Sequence, residues 1–157
     1  MIKVLFVCLG NICRSPTAHG VFQKLIDDRD LSHLFYIDSA GTAAWHIGKT
    51  PDSRSQAAAL NRQYDLSYIH ARKVALEDFE KFDYLFAMDQ ENLHNLQSIC
   101  PITHQAKVTL FLNFSDLNDD EVPDPYYGGS GGFENVLDLV ESASLGFLKH
   151  LESERQL

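Results

Sequence analysis

Apolar residues recur along this 157-residue chain in two patterns, short dense runs of strand length and longer stretches where they return every three or four positions. Residues 2–7 make the first run, which stops near Cys8 because Gly10-Asn11 follows as a turn pair able to take positive φ. Behind the turn, Ser15-Pro16 supplies an N-cap and a first-turn proline, and Ala18, Val21, Phe22, Leu25 and Ile26 repeat at helical spacing. A helix is predicted from about Pro16. Residues 34–38 form a second short run, closed by Ser39-Ala40-Gly41-Thr42 into a loop of small residues that ends near Asp52. Further on, 53–64 reads as a helix, while 82–88 and 106–111 read as strands. Asp89 is placed to cap a helix carrying Leu93, Leu96 and Ile99, and 133–151 carries the spacing of a last helix.

Strands that alternate with helices predict a parallel sheet covered on both faces. Residues 1–157 are therefore expected to form a single α/β domain, small and doubly wound, with a four-stranded parallel sheet of flavodoxin-like type and right-handed crossovers. Such sheets bind ligands beyond the carboxyl ends of their strands, which is where Cys8 falls. The stretch 112–132 shows no periodic element, and a segment of that length in a small domain tends to be functional. It carries Asp116, Asp119, Asp120, Glu121 and Asp124.

Composition narrows the possibilities. Hydrophobic residues make 45% of the chain and charged residues 22%, which is a globular balance. No apolar run has membrane-spanning length and no signal core opens the chain, so a soluble, cytoplasmic protein without a membrane partner is expected. Three cysteines, an odd number, point to a reducing compartment, and the spacing of Cys8 and Cys13 does not suit zinc. Neither a metal nor a cofactor is expected. The net charge of −9 disfavours nucleic acid and repels phosphorylated partners at long range. Any anion must then be recognised locally.

The stretch from Cys8 to Pro16 offers such a place. A tight loop feeding a helix start turns backbone N–H groups into one concavity, with the positive end of the helix dipole behind them. Cys8 lies at its floor, where that field and a nearby guanidinium favour the thiolate, the reactive form. Arg14, at the far end of the loop, can grip two anion oxygens with its planar fork. A cysteine ending a buried strand is ordinarily a small hydrophobe, and an arginine near a helix start is ordinarily solvated. What separates this loop from that ordinary case is the combination: Cys, five residues, Arg, then Ser, with a turn pair inside and a strand and helix outside.

The run Cys8-Leu9-Gly10-Asn11-Ile12-Cys13-Arg14-Ser15-Pro16 resembles the phosphate-binding signature of the low molecular weight protein tyrosine phosphatases, and Asp124-Pro125-Tyr126-Tyr127 resembles their general-acid segment. The likeness extends through Asp38-Ser39-Ala40-Gly41, Trp45, Pro51-Asp52, Ala71-Arg72, Phe82-Asp83-Tyr84 and Met88-Asp89. It implies hydrolysis of protein phosphotyrosine and small aryl phosphates through a phosphocysteine, with inorganic phosphate as product or inhibitor. Catalysis would fall to Cys8, Arg14 and Asp124, and phosphate or substrate binding to Leu9, Gly10, Asn11, Ile12, Cys13, Ser15, Trp45, Tyr126 and Tyr127. By the same resemblance Asn11 and the residue at Ser39 share a hydrogen-bond network, Ser15 stabilises the departing thiolate, and Cys13 can pair reversibly with Cys8.

From the residues alone, Asn11 and Ser15 are equally turn and cap residues, Trp45 and the two tyrosines equally packing groups, and no physical argument picks one acid from the 112–132 stretch. Pro123 and Pro125 do stiffen the backbone on either side of Asp124. One departure stands out. The family usually has His, one residue, then Ala-Arg, whereas here Ile69-His70-Ala71-Arg72 brings the histidine one place nearer, so its role is not carried over. Two alternatives share the scaffold. A thiol-dependent arsenate reductase needs two further relay cysteines, and only Cys100 lies downstream; arginine phosphatases resemble this chain but tend to have Thr where Ile12 stands.

Overall fold

In the computed structural model, which describes residues 1–125 and 131–157, strand β1 (Ile2–Cys8) lies between β2 (Phe35–Gly41) and β3 (Tyr84–Ala87), with β4 (Val108–Leu110) beyond β3. Every pairing is parallel, in the order β2-β1-β3-β4. The expected four-stranded parallel sheet is present. Val7 is in register with Ala40 and Ala87, and Ala87 with Leu110, so the strands finish at one level and deliver their following loops to one edge.

Side chains alternate along β1, and each set finds its own core. Val4, Phe6 and Cys8 pack with α1 (Arg14–Asp28) and α5 (Gly131–Ser153), while Leu5 and Val7 pack with Phe79, Phe82 and Leu96 across the sheet. Phe6, Phe86, Phe111 and Phe147 meet at centroid distances of 4.9–5.8 Å in edge or tilted geometry. Such pairs add about 1 kcal/mol each beyond their buried area, which gives Cys8 a rigid floor.

Element limits differ from the sequence pattern for identifiable reasons. Helix α1 starts at Arg14 with Cys13 at the N-cap and no side chain capping it, so Ser15 falls inside the first turn, where its hydroxyl meets Cys8 and Asn11. The expected N-cap role of Ser15 is thus corrected. Asp52 caps α2 (Ser53–Asn61) by accepting from the amides of Arg54 and Ser55, and Asp89 caps α4 (Gln90–Ile99) as the pattern predicts. Between β2 and β3 lies a four-residue helix, α3 (Asp78–Lys81), too short to show a period. Phe82 closes it, so β3 begins at Tyr84. Strand β4 is shorter than its apolar run because 3₁₀ turns occupy Ile102–Lys107 and Phe111–Phe114. Among the described residues no helix is long and apolar enough to cross a membrane.

Helix α5 passes so close to the 3₁₀ turn at Phe114 that a Cβ on Gly146 would overlap the Phe114 carbonyl oxygen. Backbone cannot swing aside as a side-chain tip can. Gly146→Ala should therefore cost roughly 3 kcal/mol and lower the melting temperature by about 6–12 °C in a thermal circular-dichroism scan. A parental melting curve would show that the two segments separate freely.

Candidate active site

The loop after β1 is turned so that its carbonyls leave and its amides stay. The carbonyl oxygens of Cys8, Leu9 and Ile12 accept from the amides of Thr42, Ala43 and Asp52 at 2.8–2.9 Å, and that of Cys13 accepts from the Thr17 amide and hydroxyl. In a trans peptide the N–H points opposite to the carbonyl, so the amides of Leu9, Gly10, Cys13 and Arg14 face the loop's interior. Asn11 supports this turn with φ of +58°, a left-handed conformation that Asn tolerates. Of the predicted Gly10-Asn11 pair, it is Asn11 that takes positive φ.

The Cys8 sulfur sits within this ring at the end of the central strand. It accepts from the Asn11 amide at 3.2 Å and lies 3.0 Å from the Ser15 hydroxyl. That hydroxyl already accepts from Asn11 Nδ2 at 2.8 Å, which leaves its hydrogen for the sulfur or for the Ala40 carbonyl at 3.4 Å. Asn11 Oδ1 in turn accepts from the Arg72 amide at 3.0 Å. Arg72 is fixed by Asp38 and by both oxygens of Asp78. The wall under the sulfur is thus a closed polar network in a dry setting, Asn11 and Ser15 being fully buried.

Arg14 is buried above this wall. Its Nη1 donates to Asp89 Oδ2 at 2.5 Å and to the Val122 carbonyl at 3.0 Å, while Nη2 lies 4.0 Å from Asp124 Oδ2. Burial alone would weaken its hold on the proton, but the charges at Cys8 and Asp89 outweigh that and raise it above the ordinary arginine value. Asp89 does two jobs, since its other oxygen caps α4 through the Asn92 amide at 2.7 Å. The sequence pattern shows only the cap; the Arg14 contact follows from β1 and β3 ending side by side.

Asp124 comes to the site through Val122. That residue is fully buried in an otherwise acidic segment, and its amide donates to the Met88 carbonyl at 2.7 Å beyond the end of β3. A cavity of about 340 Å³ results, lined by Cys8, Leu9, Gly10, Ile12, Cys13, Arg14, Trp45, His46 and Asp124. It brings together all of the predicted loop residues except Asn11 and Ser15, which stand behind its wall. Trp45 forms an exposed rim. His46, not singled out by its sequence, lies against Gly10, where a Cβ would come within 3.0 Å of its ring. Tyr126 and Tyr127 lie outside the described residues.

The other titratable candidates sort by burial. Cys13, though it faces the cavity, has its thiol pushed up to about 12, chiefly by burial and with Asp52 adding to it against a hydrogen bond from Ser55, so it stays protonated. Cys100 is packed in the core on the opposite side of the sheet from Cys8. Among the described residues no three His, Cys, Asp or Glu side chains form a metal-binding cluster. His70 is exposed and meets the Tyr68 carbonyl. The histidine that reaches the polar wall is His19 on α1, whose Nδ1 shares a hydrogen bond of 3.0 Å with Ser39.

Burial lowers His19 from 6.5 to about 4, with Asp38 pulling the other way. The native state therefore holds this ring neutral. Its contribution to stability is complete above the unfolded value and is lost as pH falls from about 6.5 toward 4, amounting to roughly 3 kcal/mol. In urea titrations at pH 7 and pH 4, the parent should lose about that much more stability than His19→Gln; equal losses would show that the ring is charged in the folded protein.

The model of the family described as low molecular weight phosphotyrosine protein phosphatase matches residues 3–157. The low molecular weight phosphotyrosine protein phosphatase of Schizosaccharomyces pombe is 43% identical over 152 residues, covering 96% of this chain and 97% of that one. Among solved structures, a protein tyrosine phosphatase from Entamoeba histolytica with Hepes in its active site superposes with a TM-score of 0.95 at 41% identity, covering 99% of each chain. A Drosophila arginine phosphatase superposes at 0.88 with 33% identity, covering 95% and 97%. With its fold, its order of elements and almost its whole length shared with these proteins, the chain belongs to the low molecular weight phosphotyrosine protein phosphatase family.

Proposed function

We propose that this protein hydrolyses phosphotyrosine in proteins, and small aryl phosphates, in two steps through a phosphocysteine on Cys8. The observation that supports this reading is the convergence of the Cys8 sulfur, the inward loop amides, the Arg14 fork and the Asp124 carboxyl on one cavity. Thiolate attack forms the S–P bond while the P–O bond to the aryl group breaks, and Asp124 gives its proton to the leaving phenolate oxygen. Asp124, now a carboxylate, takes a proton from water as that water attacks phosphorus; the S–P bond breaks and inorganic phosphate departs. Arg14 and the amides hold the equatorial oxygens, whose charge is concentrated in the transition state. The Ser15 hydroxyl, 3.0 Å from the sulfur, steadies the thiolate each time it is released.

Asp89 and the Val122 carbonyl fix one edge of the guanidinium, which orients the rest of the fork toward the anion. The exposed Trp45 and the neighbouring His46 border the space for the aryl ring. No metal takes part in this scheme, since the cradle itself supplies the positive field. Phosphotyrosine-bearing proteins in the cytoplasm would be the substrates. A second reading, phosphoarginine hydrolysis, draws on the Drosophila arginine phosphatase; Ile12 on the cavity wall favours the aromatic substrate.

Purified protein should turn over phosphotyrosine peptides in preference to phosphoserine and phosphoarginine peptides. Cys8→Ser should abolish turnover while keeping phosphate binding, as read by kinetics and calorimetry. Turnover by Cys8→Ser would remove the nucleophile, and faster cleavage of the phosphoarginine peptide would select the second reading. Asp124→Asn should lower kcat by about 10²–10⁴-fold for phenols that leave poorly and much less for activated ones. A leaving-group series that slows uniformly would deny Asp124 the role of acid.

A further inference from the structure

We propose that His19 is a positioning residue for the nucleophile: its hydrogen bond to Ser39 sets how close the first turn of α1, and hence the Ser15 hydroxyl, stands to the Cys8 sulfur. The inference rests on the reading of Cys8 as nucleophile. Ser15 and His19 are four residues apart in α1, so their side chains lie one turn apart on the same face. Both meet β2 at consecutive residues, Ser15 at the Ala40 carbonyl and His19 at the Ser39 hydroxyl. Two hydrogen-bonded rungs therefore add to the apolar packing of the helix. The upper one, at 3.4 Å, is long and correspondingly weak, while the lower one, at 3.0 Å, has ordinary length. Of these two bonds the lower is the firmer, and the upper one shares its oxygen with the sulfur and with Asn11.

Packing does not require a histidine at position 19. The neighbouring inward residues of α1 are Ala18, Val21, Phe22 and Ile26, and an apolar ring would fill the same buried space without an imidazole to desolvate. What an apolar ring lacks is the bond to Ser39. That oxygen is fully buried, and its backbone amide is already committed to Asp38 Oδ1 at 2.8 Å. Asp38 is also engaged with Arg72, and the Tyr68 ring stands edge-on to His19 at 5.7 Å. Asp38 and Tyr68 are thus the titratable groups facing the imidazole, from β2 and from the loop after α2. Neither forms an ion pair with it, and burial keeps it neutral down to about 4, so the rung persists across the working pH of a phosphatase. Without it, α1 can draw back from β2, and the sulfur loses the donor that favours its thiolate and steadies it as a leaving group.

The test compares the parent with His19→Phe, Ser39→Ala, the double variant and His19→Asn, whose amide places a δ atom where Nδ1 stands. Alkylation of Cys8 by iodoacetate is followed against pH by mass spectrometry, alongside steady-state kinetics on an aryl phosphate. His19→Phe and Ser39→Ala should each shift the alkylation profile upward by about one pH unit, a tenfold loss of thiolate at a given pH. Each should lower kcat about tenfold with KM near the parental value. The double variant should lose no more than either single one, and His19→Asn should recover most of both readouts. If His19→Phe does not fold, Ser39→Ala, which removes a single oxygen, decides alone. Folded variants that melt earlier yet keep the parental alkylation profile and kcat would overturn the proposal and leave His19 a purely structural residue. A parent whose Cys8 resists iodoacetate while the enzyme turns over would overturn the nucleophile reading instead.

Discussion

The arrangement depends on holding the Cys8 sulfur at the end of a buried strand, where an amide and a hydroxyl must come to meet it. Every nearby polar choice answers that constraint. Three carbonyls of the loop are pulled outward by Thr42, Ala43 and Asp52, so that the opposite faces of those peptides, and the Asn11 amide, turn inward. The Ser15 hydroxyl, inside the first turn of α1, is aimed at the sulfur, and the helix begins behind Cys13 without a side-chain cap.

Arg14 is the second part of the same problem. A buried guanidinium is costly unless it is paired, and pairing it fully would leave nothing for a substrate anion. Asp89 and the Val122 carbonyl resolve this by engaging one terminal nitrogen, Nη1, while Nη2 lies nearer Asp124 on the cavity side. Both partners are anchored independently of the arginine, Asp89 as the cap of α4 and Val122 through the Met88 carbonyl. The same buried valine carries Asp124 into reach two residues later. A loop rich in acids is thus pinned through a deeply buried valine, which explains how a segment without regular structure can hold an acid in position.

The two thiols of the loop sit in different surroundings. Cys8 ends the central strand with an amide and a hydroxyl against its sulfur. Cys13, five residues on, faces the same cavity but is held protonated by burial, with the Asp52 charge adding to the effect. Identical side chains on one short loop thus meet different hydrogen-bond partners.

Read by itself, the sequence determined the alternation of strands and helices, the site's place after β1, the Asp89 cap and the Cys-to-Arg loop, because all of these are local: they rest on periodicity, turn chemistry and spacing along the chain. It left α3 invisible, since four residues cannot show a period, and it gave no reason to look at His19 or His46. Tertiary structure alone decided that Asp89 holds Arg14, that Val122 brings Asp124 inward, that His46 borders the cavity, and that His19 is the imidazole bonded to Ser39. Each of these joins residues from separate elements that meet only because parallel strands end at one level, and no pattern along one segment records which partner arrives from another.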